Sequence, residues 1–106
     1  LWRSRNEDGM RAKFLEKLKG WNGDAKVFEL DPPLEYERCY GGEFVTDTAT
    51  YVIVSAVNTG DVTYIFKAKL RGDVFDVADW CELPGSARGT LDHNEVLNLI
   101  GYEVIS

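Results

Sequence analysis

The chain has 106 residues, 44% of them hydrophobic, and a formal charge of −6. That length suits one domain with a modest core, and the acidic balance argues against a generic binder of duplex nucleic acid, which needs a basic footprint. Cys39, Cys81 and a single histidine make neither a disulfide framework nor a zinc site, and no apolar run has the length of a membrane span or the pattern of a secretory core, so a cytosolic setting with reduced thiols is expected.

Residues 1–9 read as a flexible leader, because Leu1 and Trp2 are followed by no period at all. Met10 is the only methionine and a candidate native start, with a single α+β domain expected over residues 10–106. Residues 1–21 carry six basic groups (Arg3, Arg5, Arg11, Lys13, Lys17, Lys19) against Glu7, Asp8 and Glu16, so the remainder of the chain sums to −9. A basic arm beside an acidic body can clasp its own body, a second copy or a partner; a solvated basic face is the plainer reading.

Met10, Phe14, Leu15, Leu18 and Trp21 are spaced as one stripe of an amphipathic helix, ended by Gly20 and Asn22-Gly23. Packing on a sheet suits it better than a membrane surface, given Glu16 and the short length. Lys26-Val27-Phe28-Glu29-Leu30 reads as a first strand, stopped by Asp31-Pro32-Pro33. Residues 34–49 read as a long excursion hinged at Gly41-Gly42, and excursions of that length are often functional.

Residues 50–57 and 62–69 flank Asn58-Thr59-Gly60-Asp61 as a β-hairpin. Val52, Ile53, Val54 and Val57 mark a central strand. In the second run Val62, Tyr64, Phe66 and Ala68 face one way and Thr63, Lys67 and Lys69 the other, with Ile65 an apolar exception. Gly72 makes the next turn, and residues 73–80 form a third strand of an antiparallel meander. Residues 91–100 are a helix: Asp92 caps it, Glu95 completes a capping box, Leu91 and Val96 make a hydrophobic staple, Val96, Leu97, Leu99 and Ile100 are its buried stripe, and Gly101 ends it. Residues 102–105 alternate as a last strand. The expected fold is therefore α+β, a small antiparallel meander of about four to five strands, with the C-terminal helix packed on it, an N-terminal amphipathic helix, and residues 26–30 and 102–105 at the sheet edges.

Chemistry is less well signalled. His93 could serve Cys81 or Ser86 as a base in a small thiol or hydroxyl hydrolase, but no nucleophile signature surrounds either residue, and Cys81 beside Trp80 and Leu83 reads as a small buried hydrophobe. Gly85-Ser86-Ala87-Arg88-Gly89 ahead of a helix invites a phosphate loop with Arg88 as the cation, yet it lacks both the Gly-Lys-Ser/Thr and the G-x-G-x-x-G pattern. Asp73, Asp76, Asp79 and Glu82 lack the spacing of a calcium loop. No enzyme activity, cofactor or metal is expected. Acidic residues such as Glu29, Glu35, Glu37, Asp73 and Asp76 leave a DNA-mimic inhibitor of a nucleic-acid-binding protein as an alternative, provided that they line one exposed face.

Several stretches resemble small accessory proteins of tailed phages of mycobacteria and related actinobacteria. They are residues 28–35 (Phe-Glu-Leu-Asp-Pro-Pro-Leu-Glu), residues 51–57 and 63–66, residues 82–89 (Glu-Leu-Pro-Gly-Ser-Ala-Arg-Gly), Leu91-Asp92-His93 and Gly101-Tyr102-Glu103-Val104. The resemblance covers residues 27–105. The chain departs from the pattern at Lys67-Ala68-Lys69, in place of a proline-containing turn, and in a longer 36–49 insert. The resemblance implies a bacterial host cytoplasm and an accessory role during infection, and carries no catalytic residues. With the aromatic residues on the connections, it leads to an interaction protein that binds a protein partner, plausibly a host factor. The expected contact residues are Tyr36, Arg38, Tyr40, Phe44 and Arg88, with self-association as the competitor.

Overall fold

In the computed structural model β-branched and aromatic residues on both sides of residues 58–61 pair as the expected hairpin: β3 (Glu43–Val57) meets β4 (Val62–Arg71) antiparallel, from Tyr51 opposite Ala68 to Val57 opposite Val62. The structure describes residues 10–21, 23–57, 62–83, 86–89 and 92–105, with the backbone alone of residues 39, 40, 79–82, 87 and 88. The expected leader over residues 1–9, the turn at 58–61 and the Leu91 staple lie outside the described residues.

Among the described residues the other elements are β1 (Arg11–Leu18), β2 (Asp24–Tyr40), β5 (Val74–Glu82), the two-residue β6 (Ala87–Arg88), α1 (His93–Leu99) and β7 (Glu103–Ile105). Six strands lie in the order β5-β4-β3-β2-β1-β7, and β6 pairs with β4. The α+β class and the meander β3-β4-β5 are as expected, with more strands than four or five. The pairing is antiparallel except between β1 and β7, which run parallel. The 26–30 segment belongs to β2, inside the sheet and not at its edge, whereas β7 is an edge strand.

The N-terminal helix is replaced by β1. Phe14 pairs with Phe28 and Glu16 with Val27, so Leu15 is the extra residue of a β-bulge. Before the bulge Ala12 and Phe14 join one core; after it Leu15 and Leu18 join the other. A bulged strand thus places the same apolar residues that a helical stripe would, with β2 paired from Arg11 to Leu18 on one edge and β7 paired with Arg11–Lys13 on the other.

The two prolines do not end β2. The β2–β3 register shifts between Glu29 and Leu34, while Leu30 and Asp31 keep their partners Ala12 and Arg11 on β1. Pro32 and Pro33, which have no N–H to donate, sit in this break in the β2–β3 ladder. Beyond it residues 34–40 pair with 43–49, so the expected excursion is a two-stranded arm. Gly41 and Gly42 both have positive φ, 60° and 87°, which a two-residue hairpin turn of this hand requires.

One core, built on Phe28, Leu30, Val52, Val54 and Ile65, is covered by Val96 and Leu97 of α1 and by Tyr102. The other face gathers Ala25, Val27, Ile53 and Ala68, with Leu15, Leu18, Trp21, Tyr51, Phe75 and Val77 around them. Asp92 caps α1 as expected, accepting from Asn94 N at 2.9 Å and Glu95 N at 3.3 Å. At the other end Gly101 N donates to Asn98 O and Tyr102 N to Leu97 O, with Gly101 at φ 95°, a Schellman ending. Leu99 is 68% exposed and leaves the expected stripe; His93, 6% exposed, takes a buried place instead. Its Nε2 lies 2.7 Å from the Asp24 carbonyl oxygen, joining the first turn of α1 to the start of β2.

Candidate functional site

The outer arm, residues 34–40 and 43–49, has an unusual place in the sheet. The β1 ladder on β2 reaches only Asp31, and the β4 ladder on β3 begins at Tyr51. Among the described residues no third strand therefore flanks the arm on either side. A lone two-stranded ribbon is marginal in water, so something must brace it.

The brace is Asp47. Its carboxylate accepts from the backbone N of Thr48 at 2.8 Å, from Lys67 Nζ at 3.1 Å, and from Tyr36 Oη and Arg38 Nη1, both at 3.3 Å. Lys67 lies on β4, so this cluster ties the arm to the body of the sheet. The Thr48 N–H, the Lys67 ammonium and the Arg38 guanidinium together hold the Asp47 carboxyl at a pKa of about 2, against a partial opposing effect of burial.

The register divides the arm into two faces. Tyr36 pairs with Asp47 and Arg38 with Val45 on the braced face; Cys39 pairs with Phe44, Glu37 with Thr46 and Glu35 with Thr48 on the other. On that outer face Phe44 is 76% exposed, beside the exposed Glu35, Glu37, Thr46 and Thr48. Tyr36, expected as a contact residue, is only 8% exposed and joins the helix-side core. Arg38 is committed to Asp47. The side chains of Tyr40 and Arg88 lie outside the described residues; the Arg88 backbone pairs with Val62, far along the sheet from the arm. Asp47 and Lys67 escaped the sequence reading. The local signal was Asp47-Thr48, a carboxylate followed by an N–H that it can accept, but Lys67 is 20 residues away.

The hydrolase candidates are engaged in joining elements. Ser86 Oγ donates to Leu83 O at 3.1 Å and accepts from Ile65 N at 3.0 Å. His93 Nε2 faces the Asp24 carbonyl, a partner to which it can only donate. The Cys81 side chain lies outside the described residues. Several acids named for a DNA mimic sit among cations: Glu29 pairs with Lys13 in the β1–β2 register, and Asp76 forms an ion pair with Arg71. Among the described residues no group of three His, Cys, Asp or Glu side chains could hold a metal ion, and no helix is long and apolar enough to cross a membrane. No family model matches the chain, and neither a curated protein nor a solved structure matches it.

Proposed function

We propose that this is a non-enzymatic interaction protein that binds a protein partner, in a phage setting a bacterial host factor, through the outer face of the β2–β3 arm. The observation that carries the reading is Phe44, a large ring 76% exposed on an arm stiffened by the Asp47 cluster. An aromatic side chain held out on a braced element loses little freedom when it docks, and burying it contributes about 1.5–3 kcal/mol. Glu35, Glu37 and Glu43 are exposed nearby, so the complementary surface is an apolar pocket with a basic rim. Tyr36 and Arg38 act as braces in this reading, and Phe44 makes the contact.

The test is capture from bacterial lysate with the wild type and a Phe44→Ser variant, followed by titration of the recovered protein in purified form. The expected result is a partner whose affinity falls tenfold or more in the variant, and falls further as salt is raised. Equal affinity for a folded Phe44→Ser protein would remove the arm as the contact surface. Elution of the wild type as a dimer and Phe44→Ser as a monomer would make the partner a second copy of this chain.

A further inference from the structure

The two edges of the arm differ. A two-residue turn at Gly41-Gly42 makes Tyr40 and Glu43 a hydrogen-bonded pair, and bonded and non-bonded pairs then alternate along the ribbon. Cys39, Glu37 and Glu35 of β2 therefore turn their N–H and C=O groups away from β3, as Phe44, Thr46 and Thr48 of β3 turn theirs away from β2. The Thr48 N–H agrees with this phase, because it donates to the Asp47 carboxylate at 2.8 Å. That contact also closes the β3 edge: its outward N–H is taken, and Lys67 Nζ lies 3.1 Å from the same carboxylate.

On the β2 edge the β1 ladder stops at Arg11 opposite Asp31, and among the described residues no strand continues its line along residues 34–40. At the Met10 end of β1 lies a groove of about 520 Å³, lined by Met10, Pro33, Leu34 and Tyr102 and by Glu35. Tyr102 is held there by its hydroxyl, which donates to Pro32 O at 2.6 Å. Glu35 and Glu37 are both exposed, two residues apart and so on one face of the strand. A neighbouring strand with lysine or arginine at alternate positions meets them as opposite-charge cross-strand pairs. A second copy joined edge to edge would set these glutamates against each other, and like charges directly opposite are destabilising.

We infer that the outer edge of β2, residues 34–39, receives an extended basic segment of a partner protein as an added antiparallel strand in line with β1. Its lysine or arginine side chains lie beside Glu35 and Glu37, and an apolar side chain at its end enters the groove between Met10 and Tyr102. Backbone hydrogen bonds to Glu35, Glu37 and Cys39 give the affinity, and the alternating side chains give the specificity. The inference rests on the reading of the arm as the partner-binding element and names how that partner is held.

The probe is an octapeptide of alternating lysine and valine, titrated into isotope-labelled protein and followed by amide shifts and hydrogen exchange. Saturable shifts over residues 34–39 are expected, with the Glu35 and Glu37 amides slowed at least tenfold. In an antiparallel pair the residues opposite Glu35 and Glu37 are lysines, and their N–H groups face the edge. N-methylation of the lysines should therefore weaken binding at least tenfold, and N-methylation of the valines should not. A glutamate–valine peptide should also bind at least tenfold more weakly. Glu37→Pro removes an outward N–H and spares the ladder to β3, so it should abolish binding, whereas Phe44→Ser should leave peptide binding intact. No binding at millimolar peptide, or equal binding of the two N-methylated forms, would overturn the added strand. So would Glu35 and Glu37 amides as protected as Val52 in the protein alone, because the edge is then already covered. Wild-type dimers that Glu37→Pro dissociates would make the added strand a second copy and overturn the assigned partner. A natural partner lost by Phe44→Ser but kept by Glu37→Pro would overturn the strand addition and leave the outer face of the arm as the contact.

Discussion

Asp47 shows how one carboxylate can hold a ribbon to a sheet. It accepts from Thr48, Lys67, Tyr36 and Arg38, and three of those donors belong to the arm while Lys67 belongs to β4. Its carboxyl is held at about 2, below the ordinary value of 3.8, so the folded protein prefers the ionised form more than the unfolded chain does. The resulting stability is fully present above pH 4 and is lost as the pH falls from about 4 through about 2. Discounted for solvent screening, it is on the order of 1 kcal/mol. Asp47→Asn should therefore lower urea-unfolding stability by about that much at pH 7. The difference from wild type should shrink toward zero near pH 2. A difference that stays constant across that range would show that the charge of Asp47 does not brace the arm.

Among the elements, the arm and the central hairpin differ in how their backbones are protected. Residues 51–56 of β3 have β2 on one side and β4 on the other, whereas among the described residues 43–49 pair with β2 alone. Native-state hydrogen exchange should separate them. Amides of residues 37–39 and 44–46 should exchange at least tenfold faster than those of Val52, Val54 and Ile65, because the arm opens without breaking the core. Asp47→Asn should widen that gap. Uniform protection along β3 would mean that another segment covers the arm.

At the scale of the whole molecule, α1 closes one face of the sheet through few residues. Val96 and Leu97 are fully buried on it, Ile100 is partly buried, and Tyr102 follows at the Schellman ending, its hydroxyl donating to Pro32 O at 2.6 Å. Leu97→Ala should cost about 2–5 kcal/mol by leaving a cavity between helix and sheet. Leu99→Ala, on the exposed side, should stay within about 0.5 kcal/mol of wild type. Chemical denaturation of the two variants decides whether the helix is seated by this face. Comparable losses for both would place Leu99 against a surface as well.

What could be read from the residues alone was what depends on neighbours in the chain. The hairpin over residues 50–70 has its alternation and its turn within one stretch, and its register followed. Asp92 and Gly101 end α1 by contacts that span at most five residues, so the caps were legible. The stretch around Phe14 and Leu18 was not, because the same spacing fits a helix or a bulged strand, and the choice was made by β2 and β7, whose backbones supply the hydrogen bonds on either side. The arm was hidden by Pro32 and Pro33, which break a ladder locally but not the strand beyond it. Leu99 lies at the surface although the stripe included it, and His93 is buried where its imidazole meets the Asp24 carbonyl, a partner 69 residues away. The Asp47 cluster has no local signature either. Lys67 and Asp47, like Trp21 and Phe66, meet only when the sheet has formed, since a contact between residues far apart in the chain depends on every strand pairing between them.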